Sequence, residues 1–140
     1  MSIVFRLIQF EKYCLKGDVV ELQRLEYDFT VCKIEHTEQV DFTREFVFLS
    51  KTPDELSLVC ETAYTPPDTI ASEPGWRAMK ISGVLDFGMI GVIARISNIL
   101  AEAGISIFVV STYNTDYVFL KTETYESGIQ VLVSNGYVVN

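Results

Sequence analysis

Ser111, Thr112, Tyr113, Asn114 and Asp116 gather hydroxyl and amide donors, oxygen acceptors and one carboxylate between two apolar runs. A hairpin needs only a turn there, and this one carries more polar chemistry than a turn requires. The chemistry on offer is noncovalent recognition rather than bond-making. His36 is the lone histidine and stands in a polar stretch, so no Ser/His/Asp or Cys/His arrangement can be drawn and no catalytic residue is assigned. Cys14, Cys32 and Cys60 are too far apart for a CxxC motif and odd in number. They read as free thiols buried in a reducing cytosol, and no metal site or cofactor is expected. A plainer role stands beside the binding one. Asp116 also suits a turn residue accepting local N–H bonds, and Ser111 and Thr112 also suit bonds to neighbouring backbone.

The elements around this turn follow from periodicity. Ile105, Ile107 and Val109 point one way and Phe108 and Val110 the other, which predicts a strand covered on both faces. Tyr117 to Leu120 is β-branched and aromatic, and supplies the second arm. Upstream, Met89, Val92, Ile93, Ile96, Ile99, Leu100 and Ala103 recur at helical spacing opposite Arg95, Asn98 and Glu102, predicting an amphipathic helix over 89–103. Asp86 is placed to cap its start and Gly104 to end it in a left-handed conformation. Residues 76–85 alternate as a strand with one well-buried face. Beyond the hairpin, Thr124 is placed to cap a second helix carrying Tyr125, Ile129, Leu132 and Val133, with Asn135-Gly136 as its stop. Gly128 inside that helix costs about 1 kcal/mol relative to alanine. A short strand over 137–139 closes the series. Strand, helix, strand, strand, helix, strand is the ferredoxin-like βαββαβ order, an α+β fold with helices on one face of an antiparallel sheet.

Bulk properties narrow the classes. At 140 residues, with 49% hydrophobic residues and nine phenylalanines, the chain has ample material for a core. A formal charge of −8, with no Lys/Arg cluster, speaks against nucleic acid, although the RNA-binding RRM shares the βαββαβ order. Arg6, Glu11 and Lys12 interrupt the apolar residues of 1–17, which is neither a signal peptide nor a membrane span; a cytoplasmic protein is expected.

The chain also repeats itself. Residues 46–60 lie over 107–121 without gaps, placing Ser50 on Ser111 and Glu55 on Asp116. Between 34 and 45 there is room for only a short helix. Pro66, Pro67 and Pro74 suit an irregular connection over 62–75. Residues 3–10 read as a strand and 19–25 as a helical turn or two.

Gly83-Val-Leu-Asp-Phe, Gly91-Val-Ile-Ala, Leu100-Ala-Glu-Ala-Gly-Ile-Ser-Ile-Phe108 and Ser111-Thr-Tyr-Asn-Thr-Asp116 together resemble the ACT domain. They look most like the small tandem-ACT branch that includes the cytosolic arginine sensors of animals. Phe29-Thr-Val-Cys-Lys, Thr52-Pro-Asp-Glu-Leu-Ser-Leu-Val-Cys60 and Glu73-Pro-Gly-Trp76 extend the likeness more loosely back to Tyr27. The resemblance implies two side-by-side modules: a degenerate one over 1–75, with 62–75 as linker, and an ACT domain over 76–140. It implies a non-catalytic regulator that binds a small amino acid, associates as a homodimer and acts on a protein target the sequence does not name. The implied ligand site is the loop from the first strand into the first helix of the second module, Asp86, Phe87, Gly88, Met89, Ile90, Gly91 and Val92, with Ser111, Thr112, Tyr113, Asn114 and Asp116. Backbone N–H groups at the helix start suit a carboxylate, Gly88 and Gly91 leave room for close approach, and Asp116 suits an ammonium. The same glycines also suit turn geometry and tight packing. Where the arginine-sensing relatives carry a glutamate this chain has Met89, which with Phe87 and Ile90 points to a neutral side chain. Two other classes stand beside this one. One is a protein–protein interaction module with no small ligand. The other is an acylphosphatase-like enzyme, for which the loop over 86–90 lacks the arginine and asparagine.

Overall fold

The structure, a computed structural model, describes residues 20–82 and 91–140. These residues form seven strands and two α-helices: β1 (Glu21–Ile34), β2 (Val47–Lys51), β3 (Leu56–Glu61), β4 (Ala71–Ile81), α1 (Val92–Glu102), β5 (Ile107–Ser111), β6 (Asp116–Lys121), α2 (Thr122–Ser134) and β7 (Val138–Val139). Single 3-10 turns occupy Thr37–Gln39 and Thr62–Tyr64. The chain divides into two compact units, one of Leu25–Ala78 and one joining the described residues up to Arg24 with Met79–Asn140. The division falls inside β1 and inside β4.

In the Leu25–Ala78 unit the strand order is β2-β3-β1-β4. β3 runs antiparallel to both neighbours, with Lys33 opposite Ser57 and Ser50 opposite Ser57 on its other side. Alternation sorts the side chains. Cys32, Ile34, Leu58 and Cys60 form a core with Val40, Val47, Leu49 and Leu56 against it. Tyr27, Phe29 and Phe46 pack edge to face, their centroids 5.7–6.4 Å apart. The element order is again strand, helix, strand, strand, helix, strand, with each helix reduced to one 3-10 turn. The first of these is held by Gln39, whose Oε1 accepts from the N–H of His36 at 2.9 Å.

In the other unit the order is β1-β4-β6-β5. Here α1 and α2 set Ile96, Leu100, Tyr125, Ile129 and Leu132 against Leu22, Met79, Ile81, Val118 and Leu120. Ile107 and Val109 face this core, whereas Phe108 stacks on the fully buried Phe119 with ring centroids 4.4 Å apart. The β5–β6 hairpin is therefore covered on both faces, as its alternation predicts. Both helices end in Schellman motifs. Gly104 (φ 74) and Gly136 (φ 89) take the left-handed position. Ile105 N–H then reaches Leu100 O at 2.9 Å, and Tyr137 N–H reaches Leu132 O at 3.1 Å.

Several expectations are corrected. Residues 21–25 belong to β1, not to a helical turn: Leu22 and Leu25 are both buried, and three residues apart in a strand they face opposite sides. β4 begins at Ala71 and runs through Pro74 and Gly75, the latter at φ 86. Among the described strands β4 closes the order of its unit there, where a missing N–H is tolerated. Both faces of β4 are buried, Trp76 and Ala78 on one and Met79 and Ile81 on the other. α1 begins at Val92 with Gly91 rather than Asp86 at its N-cap, and Lys121 rather than Thr124 precedes α2. Thr124 instead donates its hydroxyl back to the carbonyl of Lys121 at 3.2 Å. β7 pairs in parallel with β1, Glu21 opposite Val138 and Leu22 opposite Val139, so one rung departs from an antiparallel sheet.

Candidate functional site

The polar turn between β5 and β6 is built by its threonines. Ser111 and Asp116 form the last strand pair. The N–H of Thr112 donates to the carbonyl of Thr115 at 2.8 Å, and the Thr112 hydroxyl donates to the same carbonyl at 3.0 Å. The N–H of Thr115 returns to that hydroxyl at 3.4 Å. Thr112 is thus engaged in closing the turn, which is its plainer role. Thr115 is absent from the sequence-derived site, yet its side chain is the buried one: 4% exposed, it donates to the carbonyl of Ile81 at 2.8 Å. That bond fastens the turn to the end of β4, where the chain continues into residues 83–90. No sequence signal separates Thr115 from its exposed neighbours.

The residues offered to solvent differ from those that hold the turn. Tyr113 is 84% exposed, and Ser111 and Asn114 are exposed as well. Asp116 is half-buried, and among the described residues its carboxylate has no hydrogen-bond or ion-pair partner. Next to it, burial pushes the Tyr117 phenol up from its ordinary value. At the start of α1, Gly91 is left-handed at φ 83 and no side chain among the described residues caps the helix. The first-turn N–H groups of an α-helix have no intrahelical acceptors, so those at Val92 and beyond are donors at the positive end of the helix. Asp86, Phe87, Gly88, Met89 and Ile90 lie outside the described residues.

The β2–β3 turn has the same construction. The N–H of Thr52 donates to the carbonyl of Glu55 at 3.0 Å, and the Thr52 hydroxyl accepts from Glu55 N–H at 3.2 Å. Lys51 pairs with Leu56 as Ser111 pairs with Asp116. Thr52 therefore matches Thr112 and Glu55 matches Thr115, one residue from the ungapped alignment that set Glu55 on Asp116. The acid of the first turn occupies a different position from the acid of the second.

Glu61 and Cys32 are among the polar groups buried in the Leu25–Ala78 unit. Glu61, 2% exposed, accepts the N–H of Phe46 at 3.1 Å through one oxygen, while the other has no partner among the described residues. Cys32 is pushed up to about 11, chiefly by burial and then by the neighbouring Cys60. A thiol held protonated in this way is a poor nucleophile and a poor metal ligand.

Residues 71–134 match the family model of the ACT domain. Among curated proteins none matches. Similar solved structures span nearly the whole chain. A protein from Agrobacterium tumefaciens is 27% identical, with a TM-score of 0.77 over 89% of this chain and 94% of that one. A Vibrio cholerae protein of unknown function, described as a possible transport protein, is 21% identical with a TM-score of 0.65, over 82% and 88%. The regulatory subunit of aspartate kinase from Thermus thermophilus, in a ligand-free form, is 10% identical with a TM-score of 0.58, over 85% and 98%. The fold is the α+β, ferredoxin-like arrangement of the ACT domain.

Proposed function

We infer that this chain is a non-catalytic regulatory protein of the ACT type that binds a small amino acid. Its site is the loop over 86–92 together with the turn of Ser111, Thr112, Tyr113, Asn114 and Asp116. The observation that carries the reading is the state of Asp116: a half-buried carboxylate with no partner among the described residues, on a turn that Thr115 fastens to the strand feeding the loop. A residue serving only to cap the turn would accept local N–H bonds, and that work is done by Thr112. Asp116 would take the ligand ammonium, and the N–H groups at the start of α1 its carboxylate. The ACT match over 71–134 supports the class, and the regulatory subunit of an aspartate kinase has the same fold.

Binding would favour one arrangement of the loop, which a protein partner in the cytosol reads. β5 and β2 each end a strand order among the described residues, and such edges offer backbone groups through which two copies pair. Sedimentation of a 15.8 kDa species alone at micromolar concentration would count against that dimer.

The functional test is a thermal-shift screen of the common amino acids. A true ligand at a hundredfold excess over Kd stabilises the fold by about 2.7 kcal/mol. Asp116→Ala should remove the response and leave the unliganded melting point within about 0.5 kcal/mol of the parent. No response to any amino acid would transfer the protein to the interaction-module class.

A further inference from the structure

We propose that the segments over 35–45 and 62–70 of the Leu25–Ala78 unit form a docking surface for a basic protein segment that carries large apolar side chains. In the element order these stretches stand where the other unit has α1 and α2, and each is reduced to one 3-10 turn. Two contacts lay them side by side. Gln39 Nε2 donates to the carbonyl of Asp68 at 2.6 Å, and the Arg44 guanidinium lies 3.7 Å from the centre of the Tyr64 ring.

The apolar side chains of this surface stand in water. Phe42 is 65% exposed, Ile70 58% and Tyr64 43%. Among the described residues these three are the exposed large hydrophobics of the unit, and all of them fall on the paired segments. Apolar side chains exposed singly are ordinary, but three on two segments tied together mark an interaction surface. Phe42 is placed by its own turn: the N–H of Thr43 donates to Asp41 Oδ1 at 3.0 Å, which leaves residue 42 at the tip.

Charge chooses the occupant. The Leu25–Ala78 unit holds eleven Asp and Glu against four Lys and Arg, a net of −7 out of the −8 of the whole chain. On the surface itself Glu35, Glu38, Asp41, Glu45 and Asp68 are all exposed. Arg44 is the one Lys or Arg in either segment, and it lies over Tyr64. Exposed ion pairs are weak one by one, so the carboxylates steer and select, and burial of the three apolar side chains supplies the affinity. Nucleic acid and anionic lipid carry the wrong sign, and a second copy presents the same −7. A cation without apolar groups would leave Phe42 and Ile70 in water. A lysine- or arginine-rich segment with a few large apolar side chains meets both features. The surface contains none of the residues of the Asp116 turn, so neither reading depends on the other.

The test is an amide chemical-shift titration of the full chain with three synthetic peptides of equal length. One has leucine and lysine at helical spacing, one has glutamate in place of the lysine, and one has serine in place of the leucine. The leucine–lysine peptide should give saturable shifts at residues 35–45 and 62–70 with a Kd below about 100 μM, and each of the others should bind there about tenfold more weakly. Phe42→Ser combined with Ile70→Ser should raise that Kd about tenfold, and Glu38→Gln combined with Asp68→Asn should raise it about threefold and reduce its dependence on salt. Both double variants should melt with the parent, since the altered side chains are exposed. The proposal is overturned by shifts that do not saturate or that lie outside those residues, by either comparison peptide binding as tightly, or by unchanged affinity in the Phe42 and Ile70 double variant. Self-association of the chain that this double variant abolishes would give the surface to a second copy and overturn the proposal as well. An amino-acid screen without a response leaves peptide binding standing, and loss of peptide binding leaves the Asp116 reading standing.

Discussion

Gly128→Ala isolates how closely α2 approaches the sheet. On helix propensity alone the substitution should stabilise by about 1 kcal/mol, since glycine in a helix interior carries the larger conformational cost. The structure opposes this. A methyl group at 128 would fall inside contact distance of Leu120 Cδ2, with Leu100 Cδ2 at 3.6 Å and Ile105 Cδ1 at 3.7 Å on its other sides. Leu120 and Leu100 are both 0% exposed, so the displaced group has no solvent to turn into. Overpacking of a closed core costs about 1–3 kcal/mol, and the direct clash with Leu120 places this site in the upper part of that range. Subtracting the propensity gain leaves a net loss of about 1–2 kcal/mol. For a chain of this size that lowers Tm by about 3–8 °C, read by circular dichroism in a thermal or urea transition. Leu120→Ala alone should cost about 2–5 kcal/mol, and adding Gly128→Ala to it should return about 1 kcal/mol or more, because the new methyl enters the space the leucine left. A Gly128→Ala variant more stable than the parent would refute the close approach, and additivity of the two changes would refute the direct clash.

Thr115→Val should cost about 1–3 kcal/mol, because it leaves the buried carbonyl of Ile81 without its donor while preserving side-chain shape; the same denaturation assay checks it, and a neutral result would detach the turn from β4. The buried thiols give a pH dependence whose sign is fixed. Burial raises the Cys32 thiol in the folded chain to about 11 from an ordinary value of 9.0, so folding favours its protonated form. The corresponding stability is complete below pH 9 and is lost as pH rises toward about 11, which a series of urea midpoints measures against Cys32→Ser. At pH 8, labelling of Cys32 by a thiol reagent should proceed only through opening of the fold, and fast labelling without denaturant would contradict its burial.

Local chemistry made part of this fold legible. Gly104 and Gly136 announce helix ends because the left-handed residue and its two backbone bonds all lie within one turn of chain. The β5–β6 hairpin announces itself because alternation over 107–110 is decided by the residues themselves. Where distant segments decide, the reading fails. Leu22 and Leu25 are spaced as in a helix, and only the cores that each one enters show that they sit in a strand. The parallel pairing of β7 with β1 joins residues more than a hundred positions apart, and no local pattern encodes it. In the turn, composition pointed to Ser111–Asp116 as a polar cluster but not to a division of labour. Thr112 and Thr115 hold the backbone, and the Asp116 carboxylate has no partner among the described residues. Gly128 carried the right residue and the wrong sign, since propensity measures a helix without neighbours.

The pairing of β7 with the start of β1 also has a kinetic consequence. The N–H of Asn140 donates to Leu22 O at 2.9 Å, and the N–H of Arg24 donates to Asn140 O at 2.8 Å. One unit therefore needs both flanks of the described chain, while Leu25–Ala78 lies wholly between them in sequence. During synthesis the intervening segment emerges whole and meets its partners early. The outer unit must hold Leu22 in waiting until the last strand is released, at the loop-closure cost of every residue between. The unit carrying most of the ACT match is thus the one whose assembly comes last, and the one most exposed to a chaperone or protease in the interval.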